Sequence, residues 1–158
     1  MSGTGKSTVI GELRRRGYRA VDLDCDEYSH WADVDVTAAG SPVEPGRDWV
    51  WRENRVAELL AQTHDDPLFV SGCAPNMGSF LRLFDRVVLL TAPTDVISRR
   101  LDVRGPREYG SRPRELGRVL ALVESVEPAL RRVATDEIDA SAPLEDVLQA
   151  VLGLARPL

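Results

Sequence analysis

A chain of 158 residues with 43% hydrophobic and 28% charged side chains has the size of one domain and the composition of a packed, globular one. Its net charge of -5 and pI near 5.1 argue against a nucleic-acid partner, which calls for a basic face. No apolar run approaches the ~20 residues of a membrane helix, no leader pattern is visible, and Cys25 and Cys73 lack framework spacing. The expectation is one cytoplasmic domain over residues 1–158, with no membrane partner.

In chain order, residues 6–16 read as a helix with Val9, Ile10 and Leu13 on one face, ended by Gly17. Residues 18–23 form a short strand that runs into an acidic cluster, and 29–45, rich in Gly, Pro, Asp and Ala, read as loop. A helix is expected over 48–64, with Asp48 as N-cap and Val50, Trp51, Val56, Leu59 and Leu60 on its apolar side. Residues 68–71 and 86–90 are short apolar strands of the continuous kind found in parallel sheets. A helix follows over 94–103, an irregular segment over 104–113, and a long helix over 114–134 that Pro128 is expected to interrupt. A last strand at 137–139 and a helix at 144–154 close the chain. Alternating strands and helices imply βαβ units and a parallel sheet, so the fold class is α/β.

One lysine stands among the 20 basic residues, and the other 19 are arginine. A general arginine bias explains most of that, but Lys6 marks a place where a compact point charge is needed. It lies in Ser2-Gly3-Thr4-Gly5-Lys6-Ser7-Thr8, which fits all but the first position of G-x-x-x-x-G-K-[ST]. The glycines let successive backbone N–H groups converge on phosphate oxygens, and the helix that follows adds its positive end. Gly3, Thr4, Gly5, Lys6, Ser7 and Thr8 are therefore the candidate nucleotide site. Lys6 reaches the β- and γ-phosphates, and Ser7 places its hydroxyl on Mg²⁺. The first glycine of the pattern would precede Met1, as would the strand that normally carries such a loop. A buried central strand contributes several side chains at roughly 1.5–3 kcal/mol each, against a whole-domain stability of about 5–15 kcal/mol. The expectation is that Met1 is internal and a strand ending in Gly lies upstream, with a truly shorter chain as the alternative.

Asp22 and Asp24 stand two apart at the C-terminal end of a strand, where open α/β sheets bind ligands. One carboxylate there can hold a Mg²⁺-bound water and the other can orient or deprotonate an acceptor hydroxyl. The alternative is a solvated acidic turn that also takes in Asp26 and Glu27. Seven arginines lie from Arg99 to Arg118, broken by Gly105, Pro106, Gly110 and Pro113. Arginines on a closing lid suit phosphoryl transfer, and a solvated basic loop is the other reading. Trp31, Trp49, Trp51 and Arg52 could stack a ring and grip an anion, or simply pack a helix. Cys73 reads as a small packed residue, and His30 and His64 lack metal-ligand spacing.

With its phosphate loop, its Asp22-x-Asp24 pair, the Gly72 turn and the arginine-rich segment, the chain resembles small P-loop kinases. The closest similarity is to the shikimate kinase and nucleoside monophosphate kinase group. That resemblance implies a P-loop three-layer sandwich with a parallel sheet, a lid over about 104–113 and a small acceptor-binding insert over about 29–64. It implies ATP and Mg²⁺ as cofactors, with Asp22 near the metal and Asp24 meeting the acceptor. Arg104 is then the lid arginine that contacts the transferring phosphate, with Arg100 and Arg107 as second choices, and 140–143 is the adenine-contacting loop. The turn at 72–76 has only Gly72, with Gly78 beyond it, where shikimate kinases are glycine-rich, and the paired arginines of nucleoside monophosphate kinases are missing. The expected activity is transfer of the γ-phosphoryl of ATP to a small metabolite or nucleotide, by a monomer or homodimer, with Lys6, Asp24 and Arg104 as catalytic residues. A P-loop module that binds nucleotide without transfer is the alternative, and an antibiotic-modifying phosphotransferase a third.

Overall fold

The computed structural model describes residues 2–34, 46–62, 65–103 and 113–155. The expected lid residues 104–112, with Arg104 and Arg107, lie outside the described residues, as do 35–45 and His64. The chain forms two compact units, residues 1–9 with 86–158 and residues 10–85.

In the first unit, β5 (Val88–Thr91) pairs in parallel with β6 (Asp136–Asp139), from Val88↔Asp136 to Thr91↔Asp139. The helices α3 (Thr94–Asp102), α4 (Pro113–Val133) and α5 (Leu144–Leu154) belong to it, and α1 (Lys6–Arg15) begins in it. Ile97 and Leu101, both fully buried, join Ala92 from the end of β5 and Val119 from α4 in one apolar cluster. Burying side chains of this size contributes roughly 1.5–3 kcal/mol each, enough to hold α3 against α4. Arg131, on the last turn of α4, reaches Glu137 of β6 at 2.7 Å and Glu127 at 3.0 Å.

One expectation changes here. Pro128 does not interrupt α4, which runs on to Val133. A proline removes one i→i−4 bond and crowds the preceding turn, but hydrogen bonds on both sides carry this helix through.

In the second unit, β1 (Arg19–Asp22) pairs in parallel with β4 (Leu68–Ser71), from Arg19↔Leu68 to Asp22↔Ser71. The parallel sheet expected from the sequence thus takes the form of two parallel pairs, one in each unit. The helix α1 (Lys6–Arg15) ends where Gly17, at φ +86°, turns the chain back toward β1. Arg14 in that helix donates twice to the Ala20 carbonyl, at 3.2 and 3.1 Å.

Residues 29–33 and 47–51 depart from the expectation. Ser29–Asp33 is a strand, β2, rather than loop, and it pairs antiparallel with β3 (Arg47–Trp51). Asp48 is consequently no N-cap: it is a strand residue, 5% exposed, and α2 runs only over Glu53–Leu60. Val50 and Trp51 leave the expected helix face and point to opposite faces of the ribbon. The physical reason is that Trp49, Val50 and Trp51 are good strand formers whose backbone groups find partners on β2, a long-range gain invisible to a helical period. Trp51 then joins Leu23, Val56, Leu59, Ala74 and Phe80 in the core of this unit.

Candidate functional site

The phosphate loop keeps its expected form. Gly3 and Gly5 have φ of +83° and +94°, conformations that L side chains rarely adopt, and α1 starts at Lys6 immediately behind them. A Cβ on Gly3 would stand 2.7 Å from Ile97 Cγ2, so the loop is seated directly on α3. Thr4 is buried, Lys6 half-buried, and Ser7 and Thr8 are exposed on the first turn of the helix. The Val9 N–H donates to the Gly5 carbonyl at 3.0 Å, which starts the helical ladder and leaves the preceding N–H groups at its positive end.

Arg100 of α3 lies beside this loop. Its guanidinium donates to the Ala140 carbonyl at 2.6 Å and reaches the Gly3 carbonyl at 3.5 Å. Its Nη1 also stands 3.8 Å from the place a Gly5 Cβ would occupy. Arg100, one of the second choices for a phosphate-contacting arginine, therefore ties the phosphate loop to the residues after β6. Those residues are themselves ordered: Ala140 N–H donates to Thr91 O at 2.7 Å, and Ser141 N–H donates to Asp139 Oδ1 at 2.8 Å. The Ser141 hydroxyl and N–H, helped by the charge of Arg100, hold the Asp139 carboxyl below the usual range.

In the second unit, Asp22 and Asp24 do come together at the end of β1. Asp22 Oδ1 accepts the Asp24 N–H at 3.1 Å, an Asx turn that folds the chain over the strand end. Asp24 Oδ1 accepts the Cys73 N–H at 3.1 Å and so binds the end of β1 to the turn after β4. Cys25 donates its thiol to the Asp22 carbonyl at 3.2 Å, and the Ser29 hydroxyl donates to Leu23 O at 2.6 Å. The acidic turn is therefore a built structure. Among the described residues no three His, Cys, Asp or Glu side chains are grouped to hold a metal. Mg²⁺ in phosphoryl-transfer sites takes one or two side chains and completes its shell with phosphate and water; Ser7, exposed on the first turn of α1, and Asp22, at the end of β1, each offer an oxygen of the kind it takes.

The aromatic residues divide. Trp31 and Trp49 are cross-strand partners on β2 and β3, ring centroids 5.4 Å apart and edge-on. The arginine that lies over the Trp31 ring, 5.6 Å from its centroid, is Arg47 and not Arg52. Arg52 uses its Nε on the Asp26 and Ser29 carbonyls, both at 3.2 Å. Trp51 is elsewhere, buried beside Gly72 and Phe80. Asn76 was not foreseen: its side-chain amide accepts the Trp51 N–H and donates to the Trp51 carbonyl, both at 3.0 Å. An asparagine one residue after Pro75 signals only a turn, and nothing local points to a strand 25 residues earlier.

A loop hinged on two positive-φ glycines, opening a helix whose first turn carries lysine and serine, together with parallel strand pairs, defines a P-loop nucleotide-binding domain. The model of the AAA domain family (AAA_18), a P-loop NTPase-like family that includes kinases such as shikimate kinase, matches residues 1–121, and the chain belongs to that family. No curated protein matches it. Among the described residues no helix is long and apolar enough to cross a membrane.

Proposed function

We propose that this protein is an ATP- and Mg²⁺-dependent phosphotransferase with a small-molecule acceptor. The observation that carries the reading is the phosphate loop, in which Gly3 and Gly5 take positive-φ conformations immediately ahead of the helix that starts at Lys6. Gly3 to Thr8 bind the nucleotide phosphates, Lys6 neutralises charge on the transferred group, and Ser7 with Asp22 holds the metal, which draws electron density from the phosphate oxygens when bound. Asp24 has one oxygen fixed by Cys73, so Oδ2 receives the proton of the acceptor hydroxyl while the new O–P bond forms and ADP leaves. Arg104 belongs to the lid of this reading and supports charge at the transferring phosphoryl. The wider architecture that goes with it is one three-layer sandwich, residues 29–64 forming the acceptor side. An acidic chain acting on a small metabolite in the cytoplasm, as monomer or homodimer, completes the proposal.

The test is release of ADP from Mg·ATP across a library of hydroxyl metabolites, with the Lys6→Ala protein beside the parent. At about 100 times the dissociation constant, nucleotide adds roughly 2.7 kcal/mol of stability, several degrees in Tm for a domain of this size. Lys6→Ala should abolish both that shift and turnover while leaving the melt without nucleotide in place. A Lys6-dependent shift with no acceptor that raises ADP release makes the protein a binding module instead. Full transfer by Lys6→Ala would overturn the assignment.

A further inference from the structure

Trp51 is 5% exposed, and its indole Nε1 is buried with no hydrogen-bond partner. A buried donor left unpaired costs about 1–3 kcal/mol, so such a group calls for an explanation. Trp51 is not loosely held. Asn76 clamps its backbone on both sides, and its ring packs on Phe80 with centroids 5.8 Å apart. The ring also leans on Gly72: a Cβ there would stand 2.8 Å from Cζ2 and 3.1 Å from Cε2, the atom that carries Nε1. Asp24 Oδ1 stands at 3.1 Å from that same point. The indole ring that carries the unpaired N–H and the fixed Asp24 carboxylate therefore both stand against Gly72.

A hydroxyl is the group that satisfies both, since its oxygen accepts from an N–H while its proton goes to a carboxylate. The charges around it select further. Asp22, Asp24, Asp26 and Glu27 crowd this end of β1, while Arg55 pairs with Glu27 at 3.3 Å and Arg52 spends its Nε on the carbonyls of Asp26 and Ser29. We infer that Trp51 is a specificity-determining residue: its Nε1–H, with Asp24, receives the reacting hydroxyl of an uncharged, polyol- or sugar-like acceptor. The inference rests on the phosphotransferase reading. Because Nε1 is closed to solvent, the hydroxyl reaches it only when the indole ring turns about its side-chain bonds while Asn76 keeps the Trp51 backbone clamped. The hydroxyl oxygen forms the bond to phosphorus, its proton passes to Asp24, and the bond from phosphorus to the ADP oxygen breaks.

The experiment is ¹H–¹⁵N NMR of the full chain loaded with Mg·ADP, following the Trp51 indole resonance, identified by its loss in Trp51→Phe. Glycerol, ribose and myo-inositol are the neutral probes and glycerate the charged one, with the Trp31 and Trp49 indoles as internal controls. At least one neutral probe should move the Trp51 resonance downfield, and the movement should vanish in Asp24→Asn. Trp51→Phe should weaken that probe about fivefold, the worth of one neutral hydrogen bond, with Mg·ADP affinity unchanged. A Trp51 resonance that no neutral probe moves, one that moves equally in Asp24→Asn, or glycerate acting as strongly as the neutral probes overturns the inference. Failure of the unmutated chain to bind Mg·ADP would instead overturn the phosphotransferase reading beneath it.

Discussion

The Arg100 guanidinium donates to the Ala140 carbonyl at 2.6 Å while its other amino group reaches the Gly3 carbonyl, so one side chain spans from the phosphate loop to the turn after β6. Ala140 is 4% exposed, and its carbonyl would lose a charged donor if the arginine were cut back. Arg100→Ala should cost about 1–3 kcal/mol, which lowers Tm by several degrees, and should weaken nucleotide binding as the loop loses its brace. Arg100→Lys should recover little, because a point charge cannot reach two carbonyls as a planar fork does. Calorimetric melts and nucleotide titrations of the two variants check both statements. Parent-like binding by Arg100→Ala would remove the bracing role.

Two glycines offer opposite outcomes from the same change. A Cβ at Gly3 meets Ile97 at 2.7 Å and requires φ +83°, so Gly3→Ala should destabilise by about 1–3 kcal/mol and abolish nucleotide binding. Gly11 sits within α1 with nothing within 4 Å of the added methyl, so Gly11→Ala should stabilise by about 0.5–1 kcal/mol. Chemical denaturation of both proteins reads the difference directly.

Asn76 replaces a neighbouring strand for Trp51, supplying one acceptor and one donor 25 residues away along the chain. Asn76→Ala removes both bonds and should cost about 1–3 kcal/mol, with a red-shifted tryptophan emission as Trp51 loosens. Asn76→Asp keeps the acceptor for the Trp51 N–H but sets a carboxylate oxygen against the Trp51 carbonyl, and should be at least as damaging as alanine. An Asn76→Asp protein with parent stability would show that the clamp is not needed.

Acid stability follows from four carboxyls held below their usual values. Glu12 is lowered by Arg16 and Arg15, Asp136 by the Thr135 hydroxyl and then Arg86, Glu137 by Arg131, and Asp139 by Ser141. A lowered folded-state pKa means that the stability is complete above the unfolded carboxylate range, near pH 4, and is lost as pH falls through the folded values. The contribution of these groups to Tm should be flat from pH 7 to about 5 and fall below about 4. Arg131→Gln, which removes the partner of Glu137, should make the acid decline shallower. Glu137 and Asp139 are exposed, so their share of the effect should also shrink as salt is added, while Glu12 and Asp136, half-buried, are screened less.

How much of this was legible in the sequence differs between elements. α1, β1, β4, β5, α3 and α5 follow local patterns of apolar spacing and breakers, and each lies within a few residues of its expected place. The segment around Trp49-Val50-Trp51 fits a helical face and a strand equally well when taken alone. Only pairing with Ser29–Asp33 resolves it, and that pairing turned Asp48 from a helix cap into a buried strand residue.

What the sequence by itself determined is the nucleotide loop and the alternating order of elements. A run of glycines before a lone lysine dictates its own backbone, because positive φ, helix start and charge all lie within seven residues. What only the tertiary structure decided is who meets whom: Asp24 with Cys73 across 49 residues, Trp51 with Asn76 across 25, and Arg100 with Gly3 across 97. Those contacts depend on strand register and on the packing of α3, where a side chain's partner is set by the path of the whole chain and leaves no trace in its neighbours.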